Sequence, residues 1–492
     1  MFRWPFTLSE SHVERWVEFR DRPSRIRRLA IFGVVLLGVG VGYGLLTRDD
    51  GDRAPFNAQI DRIVESAMDD GPIAGVSVVI TRGFRILHAE GYGYADIENR
   101  IEATSETVYK VGSITKQFTA AAVMQQVEEG NIDLDEPART YLDGYFPDEP
   151  VFPEYTVRQL LHHTAGVRDY TILEGAWEVV GLEMTPREVV TYFQDEPLDF
   201  QPGSRFSYSN SGYVLLGTAL ENVTGRPYGG LLNAEIFVPQ QLESTAYCDD
   251  RRLIPNRAAG YELVDGDFQH ARFASMSQIY SAGAICSSAV DLARWSRALS
   301  RGDIISDDGY EEMITRGTLN DGGTIEYGFG LAVSYLDGHH RVGHVGGFLG
   351  FMSQIAHYQE EDVTIVVLTN TEGSAAANIE REIAQMVLGL DERTVLDVRL
   401  EADELAKYVG FYDIGPTVVE VVVGDGRLVA RVDIPRLRGE YTLQYQGDQT
   451  FITDAGSQVV VTFDTDENGD PDGFSLRNRG IVMAGVRVAG PG

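Results

Sequence analysis

Basic residues are scarce in this chain: 41 Lys and Arg stand against 74 Asp and Glu over 492 residues, a formal charge of −33. So acidic a surface argues against nucleic acid and other anionic polymers as partners. The first 50 residues hold eight basic and six acidic groups, so the acidity, 33 basic against 68 acidic, belongs to the remainder. It also fits salty surroundings. Cysteine is scarcer still, with Cys248 and Cys286 alone. No motif surrounds either one, which argues against a catalytic thiol. Internal repeats and low-complexity tracts are lacking, and long apolar runs nearly so.

The exception is Leu29 to Leu46, 18 residues without a charge, just long enough to span a bilayer. Arg20, Arg22, Arg25, Arg27 and Arg28 precede it, and Asp49, Asp50 and Asp52 follow. Positive charge marks the cytoplasmic side. The expectation is therefore a cytoplasmic basic segment over 1–28 and an uncleaved signal anchor over 29–46. It makes a single-pass inner-membrane protein with its bulk in the periplasm, rather than one with a cleaved signal peptide. No cysteine lies in the span, which excludes a lipoprotein anchor. In an oxidising compartment Cys248 and Cys286 are expected to pair, with two buried thiols as the alternative.

The run Tyr109-Lys110-Val111-Gly112-Ser113-Ile114-Thr115-Lys116 is the most informative stretch. Positions i and i+3 are neighbours on a helix, so Ser113 and Lys116 share a face. A serine hydroxyl needs a base to become a nucleophile, and a neutral amine can serve. Apolar residues at 114, 118, 121, 124 and 127 predict a helix over 114–129 with a buried stripe, stopped by Gly130. A lysine in a dry site has its pKa lowered; a solvated lysine on the polar face is the alternative. Gly112-Ser113-Ile114-Thr115 lacks the glycine needed for a Gly-x-Ser-x-Gly elbow, which disfavours an α/β-hydrolase.

Two later motifs bear on this reading: Tyr208-Ser209-Asn210 and His344-Val345-Gly346. With Ser-x-x-Lys, Tyr-x-Asn and His-x-Gly in this order, the chain resembles the serine β-lactamase and penicillin-binding-protein superfamily. It is closest in pattern to the branch of DD-carboxypeptidases, D-aminopeptidases and family VIII-type esterases. Segments Gly91–Asp96, Leu160–Gly166 and Ser281–Trp295 extend the resemblance over about residues 57–390. It implies an α+β fold, an antiparallel sheet flanked by helices with a helical subdomain.

By the same resemblance Ser113 is the nucleophile, Lys116 its proton-accepting partner and Tyr208 the second acid–base group. Asn210 would donate its amide to a substrate carbonyl. The backbone N–H groups of Ser113 and Gly347 would form the oxyanion hole, and Gly346 and Gly347 would let substrate lie on the strand edge. His344 stands where β-lactamases of this shape usually carry lysine, and offers a weaker, pH-dependent charge. The expected activity is a membrane-anchored periplasmic serine hydrolase acting on D-amino-acid peptides through a Ser113 acyl-enzyme, of DD-carboxypeptidase or D-aminopeptidase type, with an esterase, a weak β-lactamase or an idle binding protein as alternatives. The partner is then a small-molecule or peptide substrate. No cofactor and no metal are expected. His339 and His340 with His344 read as a turn into a strand, and His162 and His163 as loop residues making structural hydrogen bonds.

The hydrolase-like region is expected over 54–390, with a buried strand at 363–370 and a closing helix at 375–390. Beyond 403 the texture changes to short strands at 417–423, 427–433, 441–445, 449–453, 458–463, 474–479 and 481–488, separated by turn signals. They predict a small antiparallel barrel or sandwich over 403–492. Leu405–Tyr412 resembles the opening of lipocalin-like barrels appended to some such hydrolases. Asp464–Asp470 imitates an EF-hand start, but its twelfth position is Ser475 instead of glutamate, so a hairpin turn is expected.

Overall fold

The computed structural model describes residues 50–145, 154–390 and 399–490, apart from positions 174, 177, 374 and 448 and the stretches 415–417, 433–438, 454–455, 467–468 and 479–480. The expected anchor at 29–46 lies outside these residues. Among the described residues no helix is long and apolar enough to cross a membrane. The longest of them, Asp50–Asp70, carries eight charged side chains in 21 residues. The expectation of a single-pass inner-membrane protein with a periplasmic catalytic domain is corrected accordingly. The elements described below all belong to one compact unit, Ile60–Gly492.

Its centre is a seven-stranded sheet in the order Ile101–Glu102, Arg85–Asp96, Gly75–Arg82, Val363–Thr369, Phe351–Tyr358, His339–Phe348, Ala332–Leu336. Every pair is antiparallel. Gly75-Val-Ser-Val-Val-Ile-Thr-Arg82 and Val363-Thr-Ile-Val-Val-Leu-Thr369 lie side by side, Val76 opposite Thr369. Both are buried along nearly their whole length, which is why they read as unbroken apolar runs instead of alternating ones. Helices Ala289–Ser300 and Ala375–Leu388 pack against this centre. The latter is the expected closing helix, ending at Gly389, where φ is +69°.

The helix Thr115–Glu128 is preceded by a 3-10 turn, Gly112–Ile114. Gly130 follows at φ +75°, as a left-handed stop. The predicted stripe understates its burial: Thr115, Lys116, Gln117 and Thr119 are buried along with the apolar face. The reason is that the helices Asn210–Thr224 and Met276–Gly283 cover the side a surface helix would turn to water. Cys248 and Cys286 are joined by a disulfide with a Cα–Cα distance of 5.2 Å. It sits beside the short strand Val108–Lys110, which pairs with Ile285–Ser288.

The C-terminal strands close into an eight-stranded antiparallel barrel, Gly410–Asp413 pairing with both Val418–Gly424 and Ile481–Val488. The first of these strands overlaps the end of the segment Leu405–Tyr412 and is the one the spacing of turns did not separate. Tyr412, Phe451, Phe463, Phe474, Leu428 and Leu443 fill the interior, and Leu405 and Tyr408 of the preceding helix Ala402–Tyr408 join that core. Asp466 and Asp470 form a turn between two barrel strands, the Asp470 N–H donating to Asp466 Oδ1 at 3.0 Å. It is the expected hairpin.

Candidate active site

Two glycines bring the turn before Lys116 against the sheet edge. Gly112 has φ +53°, and a Cβ there would lie 2.6 Å from the Gly347 oxygen and 2.8 Å from its nitrogen. At Gly346 a Cβ would stand 2.0 Å from the Val111 oxygen. Ser353 ties the two segments together, its hydroxyl within hydrogen-bond distance of Val111 O at 2.8 Å and Gly346 O at 3.2 Å. Gly112, next to Ser113 in the chain, therefore abuts Gly347 although they lie 235 positions apart in sequence. Ser113 is half-buried and Gly347 exposed, at the open side of this contact.

Lys116 is fully buried. Its Nζ lies 2.8 Å from Ala282 O, 2.9 Å from Asn210 Oδ1 and 3.3 Å from Ser113 Oγ. Burial lowers its pKa to about 7, partly opposed by Asp169. Two of the three partners are oxygens that only accept. A neutral amine has two hydrogens, and when these serve Ala282 and Asn210 the lone pair is left facing the Ser113 hydroxyl. Ala282 O reaches the lysine because the backbone breaks at Tyr280, at φ +40° and ψ −128°. The break also delivers Ser281 O to Thr119 Oγ1 at 2.6 Å.

Tyr208 is brought to the same place, with the Lys116 Nζ 4.7 Å from its ring centre. Its hydroxyl is buried without a hydrogen-bond partner among the described residues. Burial raises its pKa far above the ordinary tyrosine value; Ser113 is near enough to oppose the rise. The phenol is therefore protonated at neutral pH. The Tyr208-Ser209-Asn210 segment is set by His163, whose Nδ1 accepts the Ser209 N–H at 3.0 Å and whose ring centre is 4.2 Å from that of Tyr208. That bond fixes the proton of the neutral ring on Nε2. His163 occupies φ +59°, a left-handed conformation rare outside glycine. Ser209 then caps the helix Asn210–Thr224 through the Gly212 N–H, and Asn210 is its first residue.

The Asn210 side chain points both ways: Oδ1 accepts from Lys116, and Nδ2 donates to Asp169 Oδ2 at 3.0 Å. One amide hydrogen is thus already committed. His344 differs from its expected role. It is 2% exposed, its Nδ1 donates to Val345 O, and its Nε2 accepts the Tyr327 hydroxyl at 2.9 Å. Burial, with Lys116 nearby, lowers its pKa to about 3, so it carries no charge near neutrality. Asp169, Tyr327 and the Ala282 carbonyl escaped sequence reasoning. Asp169 and Tyr327 belong to no motif, and Ala282, though inside the segment Ser281–Trp295, acts through its backbone, which side-chain patterns do not report. His162 and His163 are indeed buried loop residues. Among the described residues no group of three or more His, Cys, Asp or Glu could hold a metal ion.

With this geometry in view, the chain belongs to the Beta-lactamase family, whose model matches residues 60–389. It is 29% identical over 350 residues to a D-aminopeptidase of Gluconobacter oxydans, covering 68% of this chain and 63% of that protein. The chain thus spans somewhat under two thirds of that relative's length. Among solved structures it is similar to a D-stereospecific amidohydrolase from Streptomyces, at 28% identity and TM-score 0.58, covering 68% of this chain and 99% of the other. It is also similar to an octameric penicillin-binding protein homologue from Pyrococcus abyssi, at 25% identity and TM-score 0.63 over 87% and 99% of the two chains.

Proposed function

We propose that this protein is a serine hydrolase that cleaves amides and short peptides after an N-terminal D-amino acid, through an acyl-enzyme on Ser113. The observation that carries the reading is the hydrogen-bonding of Lys116, which leaves a neutral amine's lone pair for Ser113. Lys116 takes the Ser113 proton as Oγ attacks the carbonyl carbon. The Ser113 and Gly347 N–H groups hold the oxyanion. The leaving amine departs with the proton returned from Lys116 through Tyr208, which is a phenol able to donate. Water then attacks the acyl carbon, giving one proton back along the same path, and the acid is released with Ser113 restored.

Preference for an aminopeptidase or amidase over a carboxypeptidase or β-lactamase rests on His344. A substrate carboxylate calls for a cation, and this ring is neutral and bound to Tyr327. The likeness to a D-aminopeptidase and a D-stereospecific amidohydrolase points the same way. The test offers the full chain and Ser113→Ala a D-alanine anilide, a D-alanyl-D-alanine peptide blocked at its N-terminus, a short nitrophenyl ester and a chromogenic cephalosporin. The anilide is expected to turn over fastest, with Ser113→Ala at background. Equal rates for the variant, or preference for the blocked peptide or cephalosporin, would sink the reading.

A further inference from the structure

Asp169 touches the site only through Asn210, yet its bonding is complete and directional. Its Oδ2 accepts from Asn210 Nδ2 at 3.0 Å and from the Asn210 N–H at 3.3 Å. Its Oδ1 accepts from the Thr171 N–H and hydroxyl, both at 2.9 Å. A carboxylate has about four lone-pair sites, and all are spent on protein, which leaves none for a substrate ammonium. The neighbouring residue is pinned as well, the Tyr170 hydroxyl donating to Gln278 O at 2.5 Å and its N–H to Ser211 Oγ at 2.9 Å.

An asparagine amide can turn over with almost no change in shape. Turned over, Asn210 would set an NH2 against the Lys116 amine, donor against donor, and its oxygen against the Asp169 carboxylate. An ionised carboxylate accepts only, so it excludes that orientation. We infer that Asp169 is a positioning residue of the site, holding the Asn210 amide with Oδ1 toward Lys116 and so keeping the amine's free valence on Ser113. The inference rests on the serine-hydrolase reading above.

The carboxylate also acts on Lys116 by charge, raising its pKa against the lowering by burial. The other titratable groups around the amine are Tyr208 and Tyr213, both held protonated by burial, and His163 and His344, both held neutral. Burial raises the Asp169 pKa above the ordinary carboxylate value, opposed by the hydrogen bonds from Thr171 and Asn210 and by the charge of Lys116; ionised, it is the negative charge that acts on the amine. Replacing it with asparagine removes the charge and permits the amide to turn.

The experiment measures kcat and KM for a D-alanine anilide from pH 5 to 9 with the full-length wild type, Ser113→Ala, Asp169→Asn and Asp169→Glu, with thermal melts of each. Asp169→Asn is expected to lose about 100-fold in kcat, the scale of a small misplacement of reacting groups, with KM changed less than threefold. Its acidic limb is expected below the wild-type position. Asp169→Glu, which keeps the charge but overreaches by one methylene, is expected to lose about tenfold in kcat with the limb unmoved. Asp169→Asn within twofold of wild type overturns the inference, as does a loss with an unmoved limb. If Asp169→Asn does not fold, an unchanged kcat for Asp169→Glu overturns it. Turnover indifferent to Ser113→Ala in the same series refutes the hydrolase reading itself, a different failure from a silent Asp169 in a serine-dependent enzyme.

Discussion

Gly346→Ala tests whether close approach of the sheet edge positions Ser113 for the proposed reaction. The added Cβ would stand 2.0 Å from Val111 O and 2.4 Å from Ser353 Oγ. Carbon and oxygen rest at about 3.3 Å even in favourable contact, so strand and turn must part by about 1 Å. Val111 is two residues from Ser113, and its carbonyl is backbone that cannot swing away as a side chain would. Misplacement on that scale costs about 100-fold in rate, or about 2.7 kcal/mol of barrier. Overpacking costs about 1–3 kcal/mol of stability as well. Initial rates on the D-alanine anilide, beside a thermal melt, separate the two effects. Gly230→Ala is the control, because nothing lies within 4 Å of a Cβ there, and it should match wild type. A Gly346→Ala enzyme within threefold of wild-type kcat/KM would refute the argument.

The pH profile follows from Lys116: with its pKa near 7, kcat/KM should rise with pH through about 7 and then level, which stopped-flow or steady-state rates would read. The same lysine is protonated in the unfolded chain up to its ordinary 10.5. The unfolded state therefore binds more protons between about 7 and 10.5, and the Lys116 contribution to stability rises with pH across that window. Comparing denaturant midpoints of wild type and Lys116→Met at both ends checks the sign. His344 should show one neutral tautomer, protonated on Nδ1, from pH 5 to 8 by nitrogen-15 NMR; a titration inside that range would contradict its placement against Tyr327. Replacing both Cys248 and Cys286 with serine opens a link across a sequence separation of 38 and should cost about 4 kcal/mol in the chain-entropy account, read as a lower denaturant midpoint.

The parts of the molecule that could be read ahead were those encoded locally. Gly112, Gly130 and the spacing between them define the 115–128 helix, and turn residues between short apolar runs mark most of the barrel. What escaped depends on contacts across long stretches of chain. Lys116 reaches Asn210 across 94 positions and Ala282 across 166, and no local pattern reports which carbonyl a buried amine will meet. The break that turns the Ala282 carbonyl toward Lys116 falls on Tyr280 itself, a residue type that carries no turn signal. His344 shows the opposite difficulty, for its motif was plain but its charge state was set by burial beside Tyr327. The apolar run at 29–46 was legible as composition, whereas the described helices supply no membrane span.

The abutment of Gly112 on Gly347 has a consequence for how the protein comes into being. The serine leaves the ribosome long before the strand His339–Phe348 exists, and the sheet is sealed only when Val363–Thr369 slots in beside Gly75–Arg82. Until then the turn at Gly112 has no sheet edge to press against. A nascent or truncated chain thus carries Ser113 without the strand it stands against, and on the proposed reading hydrolytic competence waits until the two ends of the domain meet. Activity is in this sense a proofreader's mark: a molecule that cuts is one whose long-range topology is finished.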